Sequence, residues 1–97
     1  LHLDSKNRIV CLDQVSTGSL NASIVHPREV FKSAMLSSAA AILFLHNHPS
    51  GDPTPSKEDL ELTKRLKEAG ELLGVRVLDH IVIGSGCYQS LADKGII

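Results

Sequence analysis

Two histidines separated by one residue, His46-Asn47-His48, close an apolar run and open a loop rich in proline and glycine, Pro49-Ser50-Gly51-Asp52-Pro53-Thr54-Pro55. Ser56 comes eight residues after His48, and Asp59 three after that. Two imidazoles and a carboxylate make a ligand set that suits zinc, with a fourth position open to water. The spacing therefore points to metal-dependent hydrolysis, provided the fold brings His46, His48 and Asp59 to one place.

Strand geometry can do this for the histidines. Residues i and i+2 of a strand project to the same side, so His46 and His48 stand about 7 Å apart at Cα for a rise of ~3.3 Å per residue. Ile42 and Phe44 share their face, which places the pair at the rim of a buried surface. A helix supplies the third group. Leu62, Leu66, Ala69 and Leu73 step by four, three and four, the mark of a buried stripe. Asp59 extends that stripe back into the first turn, and a carboxylate facing the core there needs a positive partner. The same residues have a plainer reading. Ser56-Lys57-Glu58-Asp59 is a capping-box-like helix start, with Ser56 as N-cap and Asp59 at N3, and the histidines can form a hydrogen-bonded pair at a strand end. The two readings overlap, because Ser56 can cap the helix while lining a site.

The elements that must position these groups follow from the pattern on either side. Leu1 to Leu3 and Arg8 to Val15 are β-like, joined by the turn-forming Asp4-Ser5-Lys6-Asn7. Thr17-Gly18-Ser19-Leu20-Asn21 breaks the hairpin, and Ala22 to Val25 is a candidate third strand. Pro27 suits the first position of a helix running to about Ser38, with Glu29 in its dipole-favoured first turn. Val30, Ala34 and Ser38, with Met35 beside them, form its expected core face. Ala41 to Leu45 is apolar at every position, as in a central strand covered on both sides. Ser56 starts the next helix, which ends near Leu73 where Gly74 stops it. Val75 to Ile83 is a strand, Gly84-Ser85-Gly86 a turn, and Cys87 to Ser90 a short last strand. This order predicts an α/β fold, one mixed β-sheet with helices packed on it.

Composition bounds the rest. Ninety-seven residues make one domain with a modest core, and aromatics at 3% leave that core to Leu, Ile, Val and Ala. A net charge of −1 argues against nucleic-acid binding through bulk charge. Two cysteines, Cys11 and Cys87, without CxxC spacing, suit a reducing cytoplasm, and both read as buried or half-buried thiols. No segment approaches the roughly 20 apolar residues of a membrane span. The chain opens on Leu1 within a strand pattern, so it is expected to be one domain of a longer protein, truncated at its N-terminus. His80, whose alternation partners are Leu78 and Val82, reads as a hydrogen-bonded core or sheet-edge histidine, with support of the metal ligands as the alternative. His26 reads as a helix-entry residue, and His2 is uninformative. Strand edges near residues 1–15 and 87–90 can pair with another subunit, giving a homo-oligomer, or accept an extended substrate.

The stretch from His46 to Asp59 resembles the JAMM motif of the JAB/MPN metalloprotease superfamily, and more closely the bacterial RadC family. The similarity extends through Leu3-Asp4, Asn7-Arg8, Gly18-Ser19-Leu20-Asn21, His26-Pro27-Arg28-Glu29-Val30-Phe31, Ala69-Gly70-Glu71-Leu72-Leu73-Gly74 and Leu78-Asp79-His80. The resemblance implies a cytidine-deaminase-like layered fold and a Zn2+ site held by His46, His48 and Asp59. It makes Ser56 the residue that hydrogen-bonds the developing oxyanion of a peptide or isopeptide substrate. It also implies a glutamate general base just upstream of Leu1; within the chain, only Glu29 could substitute. The competing reading is a non-catalytic metal-binding interaction module associated with DNA repair, in which nucleic acid enters by family association alone. Zinc deamination is disfavoured, because its paired-cysteine signature is absent.

Overall fold

In the computed structural model, residues 1–14 and 25–97 are described. Asp4 turns the chain at the first hairpin: its Oδ1 accepts from the Lys6 and Arg8 amides at 2.9 Å each, while Asn7 takes a left-handed φ of 60°. Strands β1 (His2–Leu3) and β2 (Ile9–Cys11) flank this turn. Helix α1 (Pro27–Leu36), strand β3 (Ala41–Asn47), helix α2 (Lys57–Leu73), strand β4 (Arg76–Ile83) and strand β5 (Tyr88–Ser90) follow. They form a five-stranded sheet in the order β2-β1-β3-β4-β5. Among the described residues only β3 and β4 pair in parallel; the other pairs are antiparallel. Parallel neighbours need a crossover, and α2 is that crossover. The chain therefore has the mixed α/β architecture its pattern predicts. Among the described residues no helix is long and apolar enough to cross a membrane.

The core lies between both helices and one face of the sheet. Val30, Phe31 and Ala34 of α1 meet Leu62 and Leu66 of α2, Ile42 of β3, and Val75 and Val77 beside or on β4. That arrangement corrects the expected coverage of β3. With both helices on the face of Ile42, the opposite face is less covered: Leu43 is half-buried and Leu45 is 45% exposed.

Each helix also departs from its expected stripe. In α1, Phe31 is buried and Met35 is 53% exposed. The helix stops at Leu36 rather than Ser38, because the chain closes in a Schellman-type turn. The Ala39 amide donates to Ala34 O and the Ser38 amide to Met35 O, with Ser38 at a left-handed φ of 56°. In α2 the buried line is Asp59, Leu62, Thr63, Leu66 and Gly70, while Ala69 is half-buried and Leu73 is 45% exposed. The reason lies at Gly70, where an added Cβ would fall 2.4 Å from Val75 O. Backbone, not a leucine, makes the last close contact, and a hydrophobic count passes over it. Gly74 ends the helix in the left-handed region as expected, at a φ of 74°.

Strand β2 is shorter than the expected Arg8 to Val15, and Val15 lies outside the described residues. So do the breaker Thr17 to Asn21 and most of the candidate strand Ala22 to Val25; Val25 itself is described and is not in a strand. Cys11 is half-buried, but Cys87 is exposed, since β5 begins one residue later and leaves Cys87 in the turn.

The two leucines of α2 provide a test of this packing. Leu66→Ala is expected to destabilise the protein by about 3 kcal/mol, as for a fully buried leucine. Leu73→Ala should change stability by under ~1 kcal/mol. Urea unfolding of both variants checks the pair, and equal losses would contradict the packing.

Candidate metal centre

His46 is the next-to-last residue of β3, and His48 lies just past the strand's end. The β3–β4 ladder nevertheless continues to His48, whose amide donates to Ile83 O at 2.9 Å. The loop beyond is pinned from the β4–β5 turn. The Ser85 amide donates to Gly51 O at 2.8 Å, and a Cβ at Gly84 would sit 2.3 Å from that same oxygen. Only glycine permits so close an approach. The imidazoles of His46 and His48 end up side by side, their centroids 4.7 Å apart.

Helix α2 brings Asp59 beneath them. Ser56 is the N-cap, and its Oγ accepts from the Asp59 amide at 3.1 Å while Asp59 Oδ2 accepts from the Ser56 amide at 2.8 Å. This is the reciprocal capping box expected from the sequence. The carboxylate that closes it is also the one facing the histidines. Asp59 is only 2% exposed; its Oδ2 lies 2.9 Å from His48 Nε2 and its Oδ1 3.4 Å from His46 Nε2. The side chain that caps the helix is thus also the one placed to contribute to a metal site.

The proton inventory shows what such a cluster suits. His48 Nδ1 lies 2.9 Å from the carbonyl of Asp52, which can only accept, so Nδ1 carries the hydrogen. In the neutral ring Nε2 is then a bare lone pair, yet it faces carboxylate oxygen at hydrogen-bond distance. Two acceptors that close need a proton or a metal ion between them. The ligand atoms of His46, His48 and Asp59 all lie within 4.8 Å of one another. The group can hold a metal ion, and its donors, two imidazoles and a carboxylate, fit one.

Electrostatics agree with a site built around a cation. Burial pushes the Asp59 carboxyl up, but the Ser56 amide and the neighbouring histidines outweigh it and leave the carboxyl below its ordinary range. Burial holds His46 below its ordinary value, with Asp59 opposing. His80 is lowered to about 4, first by burial and then by His46 beside it.

The other candidates separate clearly. Ser56 is in place at the helix start, half-buried beside Asp59. Glu29 is not part of the cluster: it is exposed in the first turn of α1, 3.8 Å from Arg28. His80 is buried, as the core reading requires, and also touches a candidate ligand, with Nε2 3.0 Å from His46 Nδ1. A register shift pairs Ile42 with Val77 and Leu43 with Asp79, so β4 carries one extra residue between Val77 and Asp79. Val77 can then join the core while His80 stays on the side of Phe44. Two contributors were missed: Thr63, bonded to His80, and the Asp52 carbonyl. Thr63 carried a signal, being a polar residue four positions after Asp59 on the buried stripe.

The buried His80 predicts an acid limit for the metal-free protein. Unfolded, this histidine titrates near 6.5; folded, it titrates at about 4, so between those values the unfolded chain binds more protons. Stability is therefore full above pH ~6.5 and declines as the pH falls toward 4. Urea unfolding at about pH 7.5 and about pH 4.5 should differ by roughly 2–3 kcal/mol, with His46 acting in the same direction. Equal stabilities would contradict a neutral, buried His80.

Known proteins place the chain. Its sequence matches the family model of the RadC-like JAB domain over residues 1–96. It is 62% identical over all its 97 residues to a UPF0758 protein of Geotalea uraniireducens, and 64% identical to one of Trichlorobacter lovleyi. A UPF0758 protein of Methanosarcina acetivorans is 61% identical over the same span. The chain covers 42% of the length of each of these relatives. With the His46–His48–Asp59 cluster on a mixed α/β sheet, the chain belongs to the RadC family as a RadC-like JAB domain.

Proposed function

We propose that this domain is a zinc-dependent amide hydrolase acting on a peptide or isopeptide bond of a protein substrate. The observation that carries the proposal is the convergence of the His46, His48 and Asp59 ligand atoms within 4.8 Å, with His48 Nε2 held 2.9 Å from the Asp59 carboxylate. When bound, zinc polarises a carbonyl and brings the pKa of water toward ~7. The chain's own residues supply the rest. Asp59 and the Asp52 carbonyl orient the ligand set. Ser56 Oγ accepts from the Asp59 amide, which leaves its O–H free to donate to the oxygen on which negative charge develops.

The general base is proposed to be a glutamate preceding Leu1 in the whole protein. Leu1 lies antiparallel to Leu43, donating to its carbonyl at 2.8 Å and accepting from its amide at 2.9 Å. Extending that register, the residue before Leu1 faces Phe44, the third before it His46 and the fifth His48. A glutamate at one of these alternate positions shares the face of the histidines.

Metal analysis of the whole protein tests the proposal. The wild type should carry zinc, and Asp59→Ala should lose most of it. Ser56→Ala should keep zinc but lower turnover of an amide substrate by about 10²–10³-fold, with about 1 kcal/mol lost from the helix cap. A wild-type protein that takes up no zinc at micromolar concentration would refute the reading. Zinc uptake without turnover of any amide would leave a metal-binding module instead.

A further inference from the structure

We propose that Thr63 and His80 are positioning residues that set the tautomer of His46, holding its Nε2 lone pair toward Asp59 and His48. This rests on the metal reading above and specifies how the protein prepares one ligand before any ion arrives.

Thr63 Oγ1 stands 2.8 Å from Asp59 O and 2.6 Å from His80 Nδ1. A threonine has one hydroxyl hydrogen for these two contacts. If it pointed to His80, two oxygen acceptors would face each other at 2.8 Å with no proton between them. The hydroxyl therefore donates to Asp59 O, one helical turn back, and its oxygen accepts from His80 Nδ1–H. A neutral His80 protonated on Nδ1 has a bare Nε2. That atom lies 3.0 Å from His46 Nδ1, so His46 Nδ1 carries the hydrogen and donates it. His46 Nε2 is left bare, 3.4 Å from Asp59 Oδ1.

Metal-bound histidines usually donate their second N–H to a carboxylate, a carbonyl or water, and these accept in every state at neutral pH. A given imidazole nitrogen accepts in only one of the two neutral tautomers, so His80 alone could not fix His46. Thr63 supplies the missing instruction, and its own hydrogen is committed by the helix. Donation thus runs from His46 through His80 and Thr63 to the backbone carbonyl of Asp59, and the bare His46 Nε2 faces the carboxylate of the same residue. It is well shielded, since Thr63 and His80 are each 2% exposed.

Long-range 15N–1H NMR of the metal-free wild-type protein at neutral pH reads the tautomers directly. His46 and His80 should each be protonated on Nδ1 and bare on Nε2. Thr63→Val removes the acceptor at nearly constant shape. In that variant His46 should shift toward the Nε2–H form, and zinc affinity should fall by about 10- to 100-fold. Thr63→Ser keeps the hydroxyl and should restore both the tautomer and the affinity, which a purely space-filling role for Thr63 would not require. His46 protonated on Nε2 in the wild type overturns the proposal, as does a folded Thr63→Val that binds zinc as tightly as the wild type. The wild-type spectrum decides the tautomer without any variant. If the wild type takes up no zinc, the metal reading fails, and the tautomer chain is judged by that spectrum alone.

Discussion

The carboxylate of Asp59 is the constraint from which the rest of the centre follows. It is almost fully buried, and a charge in that position is tolerable only when its oxygens are occupied. Oδ2 receives the Ser56 amide and faces His48, while Oδ1 faces His46. The carboxylate therefore closes the first turn of α2 and fixes the helix relative to the end of β3. Any shift of the helix start moves the carboxylate relative to the two histidines, so the fold and the cluster share one interaction.

Position within the sheet makes that sharing possible. Strands β3 and β4 run parallel, and the helix connecting them starts just beyond the strand end that carries the histidines. The ladder continues past β3 through the His48 amide, and the β4–β5 turn presses on the loop through Gly84. The register shift near Leu78 completes the arrangement. It lets β4 give Val77 to the hydrophobic core and His80 to the polar cluster on the same side of the sheet. A regular alternation would have sent one of them to the opposite face.

Much of this was legible beforehand because it depends on local spacing. The i, i+2 relation of His46 and His48, the capping pattern from Ser56 to Asp59 and the glycine stop at Gly74 all concern residues within one turn or one strand. Other readings failed where a distant segment intervened. Met35 and Leu73 match helical periodicity, yet Phe31 and Gly70 hold the buried positions, because the neighbouring backbone and helix decide which face is covered. Leu45 belongs to an apolar run but lies on the sheet face opposite both helices.

What the sequence determined by itself is the inventory: two imidazoles and a carboxylate at spacings that strand and helix geometry can bring together, in a pattern specific enough to indicate the RadC family. Local periodicity and local hydrogen bonding suffice for that. Only the tertiary structure decided how the nitrogens are disposed toward their partners. The partner of His48 is a loop carbonyl, and that of His46 is a histidine from another strand, itself set by a threonine on the helix. Those hydrogen bonds join residues that spacing cannot relate, because their separation along the chain is closed by the packing of α2 against β3 and β4.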